Sequence, residues 1–213
     1  MYPLFTNRKD AGIKLASRLM KYKEDTGVVL AIPRGGVPVA TEIARALSFP
    51  MDIVLARKIG HPNNKEYAIG AASLNEFFIK DRDDISEKYI SDELEIIRAT
   101  LKNMDEKFTG YRNKISIKSK TIIIVDDGIA TGNTILATIR LLRFSQPDKI
   151  IVAVPVATKS AVKMLSKETD DVVVLHTTDQ FDSVGSFYEE FNQVSDEEVQ
   201  KLLKSVSTEE STL

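Results

Sequence analysis

TIIIVDDGIATGNT, residues 121–134, decides the fold. Ile122, Ile123, Ile124 and Val125 form a continuous β-branched run, which predicts a strand buried on both faces of a parallel sheet. Asp126 and Asp127 then stand at its carboxyl end, where open α/β sheets gather their ligands. Gly128 and Gly132 let the backbone bend closely around a ligand, and Thr131, Asn133 and Thr134 bring hydroxyl and amide groups to the start of a helix running to about Arg143. Free amides at a helix start attract a phosphate. Carboxylates repel one but accept hydrogen bonds from a sugar diol, so a sugar phosphate satisfies both halves of the stretch.

A strand ending in two acids before a helix also fits a plain strand followed by an N-cap. A Walker A loop is excluded because no lysine follows Gly132, and the Rossmann glycine spacing is absent. The ordered run VDDGIATGNT resembles the binding signature of the type I phosphoribosyltransferases. The resemblance implies that Asp126 and Asp127 hold the ribose hydroxyls of phosphoribosyl pyrophosphate, and that Ala130, Thr131, Gly132, Asn133 and Thr134 hold its 5-phosphate. It also implies Mg2+, carried by the substrate, with Asp126 and Asp127 as candidate protein ligands. Asn133 departs from the family pattern, where glycine or serine is usual.

Upstream, the strand Val28–Ile32 delivers Pro33, Arg34, Gly35 and Gly36 at its carboxyl end, and a helix follows from about Pro38 to Leu47. Adjacent glycines expose successive amides to an anion, although most such pairs are ordinary turns. IPRGGVPVA resembles the pyrophosphate loop of the same family, with a strained or cis peptide expected between Arg34 and Gly35. A third strand, Asp52–Ala56, is expected to end in Arg57 and Lys58. Locally these are a solvated basic pair or a pair of site cations. The resemblance places Arg34, Arg57 and Lys58 beside the leaving pyrophosphate and makes them, with Asp127, the catalytic set. Residues 60–65 read as a polar loop. The resemblance makes it a lid, with His61 and Lys65 as its contacts. The first helix, Asp10–Tyr22, with Ile13, Ala16, Leu19 and Met20 on one face, reads as packing alone.

Downstream of these strands, residues 67–80 read as a hairpin. Residues 86–112 carry Ile90, Leu94, Ile97, Leu101, Met104 and Phe108 as the stripe of a long helix, to be covered by this chain's sheet or by a partner in a homodimer. Lys149–Val156 and Asp171–His176 read as further buried strands around a helix near residues 159–167. The fold class is α/β: a doubly wound, mainly parallel sheet with helices on both faces and a small hood subdomain. His176 reads as a core histidine rather than a site residue. The aromatic stretch DQFDSVGSFYEEF, residues 179–191, could stack on a base or form a small core, and the resemblance makes it part of the hood that recognises the acceptor. The hood is expected from residues 57–112 and 177–204. Ser195 and Glu198 make a capping-box start to a last helix ending near Val206. A single domain of residues 1–206 and a flexible tail, 207–213, are expected.

Composition narrows the function classes. With 213 residues, 43% of them hydrophobic, no staple is needed to build a core. The net charge of −2 gives no footprint for nucleic acid, and the absence of cysteine removes thiol catalysis. No run of about 18 apolar residues and no signal peptide stand out, so no membrane partner is expected and the cytoplasm is the expected location. The function implied is transfer of ribose 5-phosphate to a nitrogen acceptor, a nucleobase, with pyrophosphate released. Ala130 stands where the enzymes for 6-oxopurines carry an acid, so the loop is closer to the adenine and orotate types. Two rivals stand beside this: a non-catalytic regulator that binds the same ligand, and a receiver-like phosphoacceptor domain, for which Lys159 would be the required lysine.

Overall fold

The computed structural model describes residues 3–80, 85–110 and 115–209. The apolar run of the central stretch is a strand, Thr121–Val125, buried along its whole length. In chain order it is β6, and the main sheet also contains β1 (Gly27–Ala31), β2 (Met51–Ile53), β7 (Lys149–Thr158) and β8 (Asp171–Thr178). The order is β2-β1-β6-β7-β8, and every pairing is parallel. Because side chains alternate along a strand, β6 feeds two cores. Ile123 and Val125 face α1 (Arg8–Leu19) and α2 (Gly36–Leu47), while Ile122 and Ile124 face α4 (Asn133–Arg143) and α5 (Lys159–Leu165). Each of these buried side chains contributes about 1.5–3 kcal/mol relative to exposure. No helix among the described residues is long and apolar enough to cross a membrane.

A second sheet is antiparallel: β3 (Arg57–His61), β4 (Asn64–Ala72) and β5 (Phe77–Ile79). It packs on α4 through Ala71 and Phe78 against Ala137 and Leu141. The helix α3 (Glu87–Thr109) starts at Ser86, whose hydroxyl accepts the Tyr89 amide. Its stripe of Ile90, Leu94, Ile97, Leu101 and Phe108 is buried in the first core together with Leu203 of α6 (Asp196–Glu209). The chain's own elements therefore cover the expected seam.

Several sequence expectations shift in the structure. The third strand is only Met51–Ile53, and Arg57 opens β3 instead of closing β2. The reason is that β2 pairs with β1 for three residues, after which the backbone leaves for the other sheet. Residues 60–65 are the end, turn and start of the β3–β4 hairpin. The buried face of α1 is Ala11, Gly12, Leu15, Ala16 and Leu19, whereas Ile13 is 53% and Met20 42% exposed. β8 is half-buried along most of its length because it is the edge strand. The last helix continues to Glu209. Arg112 and residues 210–213, the ends of the expected long helix and tail, lie outside the described residues.

Candidate functional site

Three turns in two strand-to-helix connections, β1 to α2 and β6 to α4, build one end of the main sheet. The first follows β1. Ile32 donates its amide to Val125 O at 2.8 Å, tying this turn to the end of β6. A Cβ at Gly35 would sit 2.1 Å from Asp127 Oδ2, and one at Gly36 would sit 2.5 Å from Val125 O. Only a glycine pair lets the turn close over the second acid. Gly36 and Val37 donate their amides to Ile32 O at 3.0 Å and Arg34 O at 3.1 Å. The cis peptide of this turn joins Pro33 and Arg34, one bond earlier than the sequence suggested.

The second turn carries Asp126 and Asp127. Asp126 Oδ1 accepts the Asp127 amide at 2.9 Å. Burial, and then the charge of Asp127, push the Asp126 carboxyl well above the usual carboxylate range, while the Arg8 charge pulls it partly back. Asp127 is held at both ends: its Oδ2 accepts Arg8 Nε at 2.8 Å, and its backbone oxygen accepts the Tyr188 hydroxyl at 2.7 Å. Burial and the nearby Asp127 charge raise the Tyr188 phenol, so it stays a neutral donor.

The third turn runs from Ile129 into α4. It is pinned to β7, with Ile129 donating to Val156 O at 2.9 Å and the Thr158 hydroxyl donating to Ala130 O at 2.7 Å. Gly132 takes φ 76 as the cap residue, a conformation suited to glycine. Leu136 donates to Gly132 O, so the amides of Asn133, Thr134 and Ile135 lead the helix without intrahelical acceptors. Ala130, Thr131, Asn133 and Thr134 are exposed.

A cavity of about 520 Å³ brings Pro33, Arg34 and Gly35 of the first turn together with Asp126 and Asp127 of the second; Arg8 and Phe191 close its other wall. A separate cavity of about 390 Å³, behind β2 and the end of α4, holds no such convergence of turns. The Arg34 side chain turns toward α6, where Nε donates to Asp196 Oδ1 at 2.6 Å. The other expected residues lie apart from this cavity. Arg57 and Lys58 open β3. His61 Nδ1 accepts the Asn63 amide at 3.1 Å, and Lys65 is docked on α3 through Tyr89 and Glu93. His176 sits on the edge strand, its ring 6.0 Å from that of Phe187. The aromatic stretch is largely a small core, with Phe187 and Tyr188 buried against Phe5.

Sequence reasoning missed Arg8, and it read Tyr188 only as part of the aromatic stretch, not as a donor to Asp127. Asn7 caps the Asp10 amide, and that three-residue spacing would have put Arg8 at the first position of the helix. Nothing local would have aimed it at Asp127.

Comparison with known proteins gives the following. A family model described as the phosphoribosyl transferase domain matches residues 5–190. A Mycobacterium tuberculosis protein named "Putative phosphoribosyl transferase" is 36% identical over 203 residues, which cover 92% of this chain and 45% of that protein. The chain therefore spans less than half the length of that relative. A ribose-phosphate pyrophosphokinase from Pyrococcus furiosus is 37% identical over 65 residues, 30% of this chain and 23% of that protein. The crystal structure of TT1426 from Thermus thermophilus is similar with a TM-score of 0.88 at 35% identity, covering 96% of this chain and 99% of that one.

Proposed function

Since this chain belongs to the phosphoribosyl transferase domain family, we propose that it transfers ribose 5-phosphate from phosphoribosyl pyrophosphate to a nitrogen acceptor, a nucleobase, and releases pyrophosphate. One observation carries the reading: the Arg-Gly-Gly turn and the acid pair, remote in sequence, line a single cavity at the carboxyl end of the sheet. Asp126 and Asp127 accept hydrogen bonds from the ribose diol. The amide-led start of α4, with Ala130, Thr131, Gly132, Asn133 and Thr134, takes the 5-phosphate. Arg34 and the amide of Gly35 meet the pyrophosphate. Arg57 and Lys58 join them once the β3–β4 hairpin, with His61 and Lys65, closes over the mouth and excludes water. Positioning of the sugar and stabilisation of the departing negative charge do most of the work.

Magnesium fits this donor set as an ion brought by the substrate. Among the described residues no group of three or more acids and histidines could cage a metal, and two adjacent carboxylates suit an ion that otherwise rests on phosphate oxygens and water. Asp126 and Asp127 would hold it, and it would supply charge neutralisation at the pyrophosphate. Lys159 pairs with Asp179 at 2.6 Å, and family membership replaces the receiver reading.

Calorimetric titration of magnesium phosphoribosyl pyrophosphate into the wild type and into Asp126→Asn/Asp127→Asn tests the proposal. Binding by the wild type and a loss of about a hundredfold or more in the variant are expected, since the charge-assisted contact of Asp127 and the hydrogen bond of Asp126 both disappear. A folded wild type that does not bind would overturn it. Binding without pyrophosphate release across a set of nucleobases would favour the non-catalytic regulator.

A further inference from the structure

The amino-terminal segment and the segment beyond β8 are zipped together beside the acid pair. Leu4 and Phe5 donate their amides to Phe187 O, Glu189 donates to Phe5 O at 2.9 Å, and Glu190 donates to Thr6 O at 2.9 Å. Phe5 also bridges Tyr188 in parallel, their rings 5.3 Å apart. Arg8 therefore leaves a fixed backbone, one residue beyond the Asn7 cap. Its guanidinium makes three contacts: Nε to Asp127 Oδ2 at 2.8 Å, Nη1 to Asn192 O at 2.7 Å, and its central carbon 3.8 Å from the centre of the Phe191 ring. Both charged side chains are nearly buried, Arg8 at 11% and Asp127 at 13% exposure.

Two adjacent carboxylates oppose each other's ionisation, and while Asp126 is oriented by the Asp127 amide, Asp127 needs a partner of its own. A guanidinium cancels one charge and grips one oxygen, leaving Asp127 Oδ1 for a sugar hydroxyl. Because Asn192 and Phe191 also line the cavity, the same cation fixes the wall that faces the sugar. We propose that Arg8 is a positioning residue for the ribose: it aims Asp127 at the diol and locks residues 191–192 to that carboxylate. This inference rests on the reading of the acid pair as the ribose site. A lysine could not substitute, because a point charge has neither the fork for two acceptors nor the flat face for Phe191.

The test uses ribose 5-phosphate and, separately, inorganic pyrophosphate as calorimetric probes of the full chain and of Arg8→Gln, Arg8→Lys, Asp127→Asn and Arg8→Gln/Asp127→Asn. Arg8→Gln, which keeps a planar amide, is expected to weaken ribose 5-phosphate binding by about tenfold to a hundredfold, the range for one charge-assisted contact. Pyrophosphate binding should fall clearly less than sugar binding, because Arg8 shares the cavity with the Arg34 turn but grips Asp127; Arg8→Lys should not restore the sugar affinity, and added methylguanidinium should restore part of it in Arg8→Gln. Once Asp127→Asn is present, losing Arg8 should cost almost nothing more, because the partner to be aimed is gone. Undiminished sugar binding in Arg8→Gln would overturn the inference while leaving the ribose site standing. So would equal losses for both probes, or losses that add to those of Asp127→Asn, since either marks a merely structural role. A folded wild type that ignores ribose 5-phosphate would remove the ribose reading itself and the inference with it.

Discussion

Gly35 is the residue at which the site has least room. An added methyl would lie 2.1 Å from a carboxylate oxygen of Asp127 and 2.6 Å from its Cγ, so either the turn or the acid must move. Gly35→Ala is expected to cost about 1–3 kcal/mol in thermal unfolding, the range for forced overpacking. It should also weaken ribose 5-phosphate binding more than an exposed change away from the site such as Ser145→Ala. Equal effects would show that the turn does not press on the acid. At this scale the sequence was legible wherever a residue's place in the fold is set by its immediate neighbours. Asp126, Asp127, Gly35 and Gly132 sit in turns that each announce themselves over a short run of sequence. Arg8 does not, because its partner is 119 positions away and only the docking of α1 brings them together.

Among the elements, the β3–β4 hairpin is where sequence and structure part most clearly. Its residues lack sharp alternation, and the cations at its start look like the end of the preceding strand, because a three-residue edge strand leaves too little pattern to mark its own boundary. The hairpin is tethered to α3 by Lys65, through the Tyr89 hydroxyl at 2.7 Å and through Glu93, and by Tyr89 donating to Gly60 O at 2.7 Å. If the hairpin closes over the mouth, this tether must open. Lys65→Ala is therefore expected to speed amide exchange in residues 58–70 while leaving exchange in β6 and β7 unchanged; hydrogen-exchange mass spectrometry reads both. No change in the hairpin would show that Lys65 is not what holds it. By contrast α3 was legible from its spacing, since a stripe repeated along 23 residues survives any local ambiguity.

For the whole molecule, the Asp25 carboxylate is one of the ties at the far end of the sheet. Asp25 accepts the Thr121 hydroxyl at 2.7 Å and Lys149 Nζ at 3.0 Å, so it joins the approach to β1 with the first residues of β6 and β7. The Thr121 hydroxyl and then the Lys149 ammonium hold its carboxyl below the ordinary range. A depressed native value means that the stabilisation is complete above the unfolded value of about 3.9 and is lost as pH falls through the lower native one. Asp25→Asn is expected to lower stability at pH 7 by about 1 kcal/mol, the scale of one net hydrogen bond. The difference from wild type should shrink below about pH 4. A constant difference from about pH 7 to about pH 3 in denaturant titrations would rule out the ionised tie. The sheet itself was readable because its strands are continuous apolar runs. The pairing order and the zipper between residues 4–6 and 187–190 were not, because backbone pairing at a distance leaves no local mark.

That zipper sets a clock on the site's assembly. Arg8 and the carbonyl of Asn192 are 184 positions apart. On a ribosome adding about 5–20 residues per second, the arginine waits on the order of ten to forty seconds before its second acceptor has been made. A nascent chain halted after β6 would already contain both acids and the glycine turn, yet its cationic brace would have nothing behind it. Arrested chains of increasing length, challenged with ribose phosphate, should therefore acquire affinity in a late step rather than in proportion to the sheet already made.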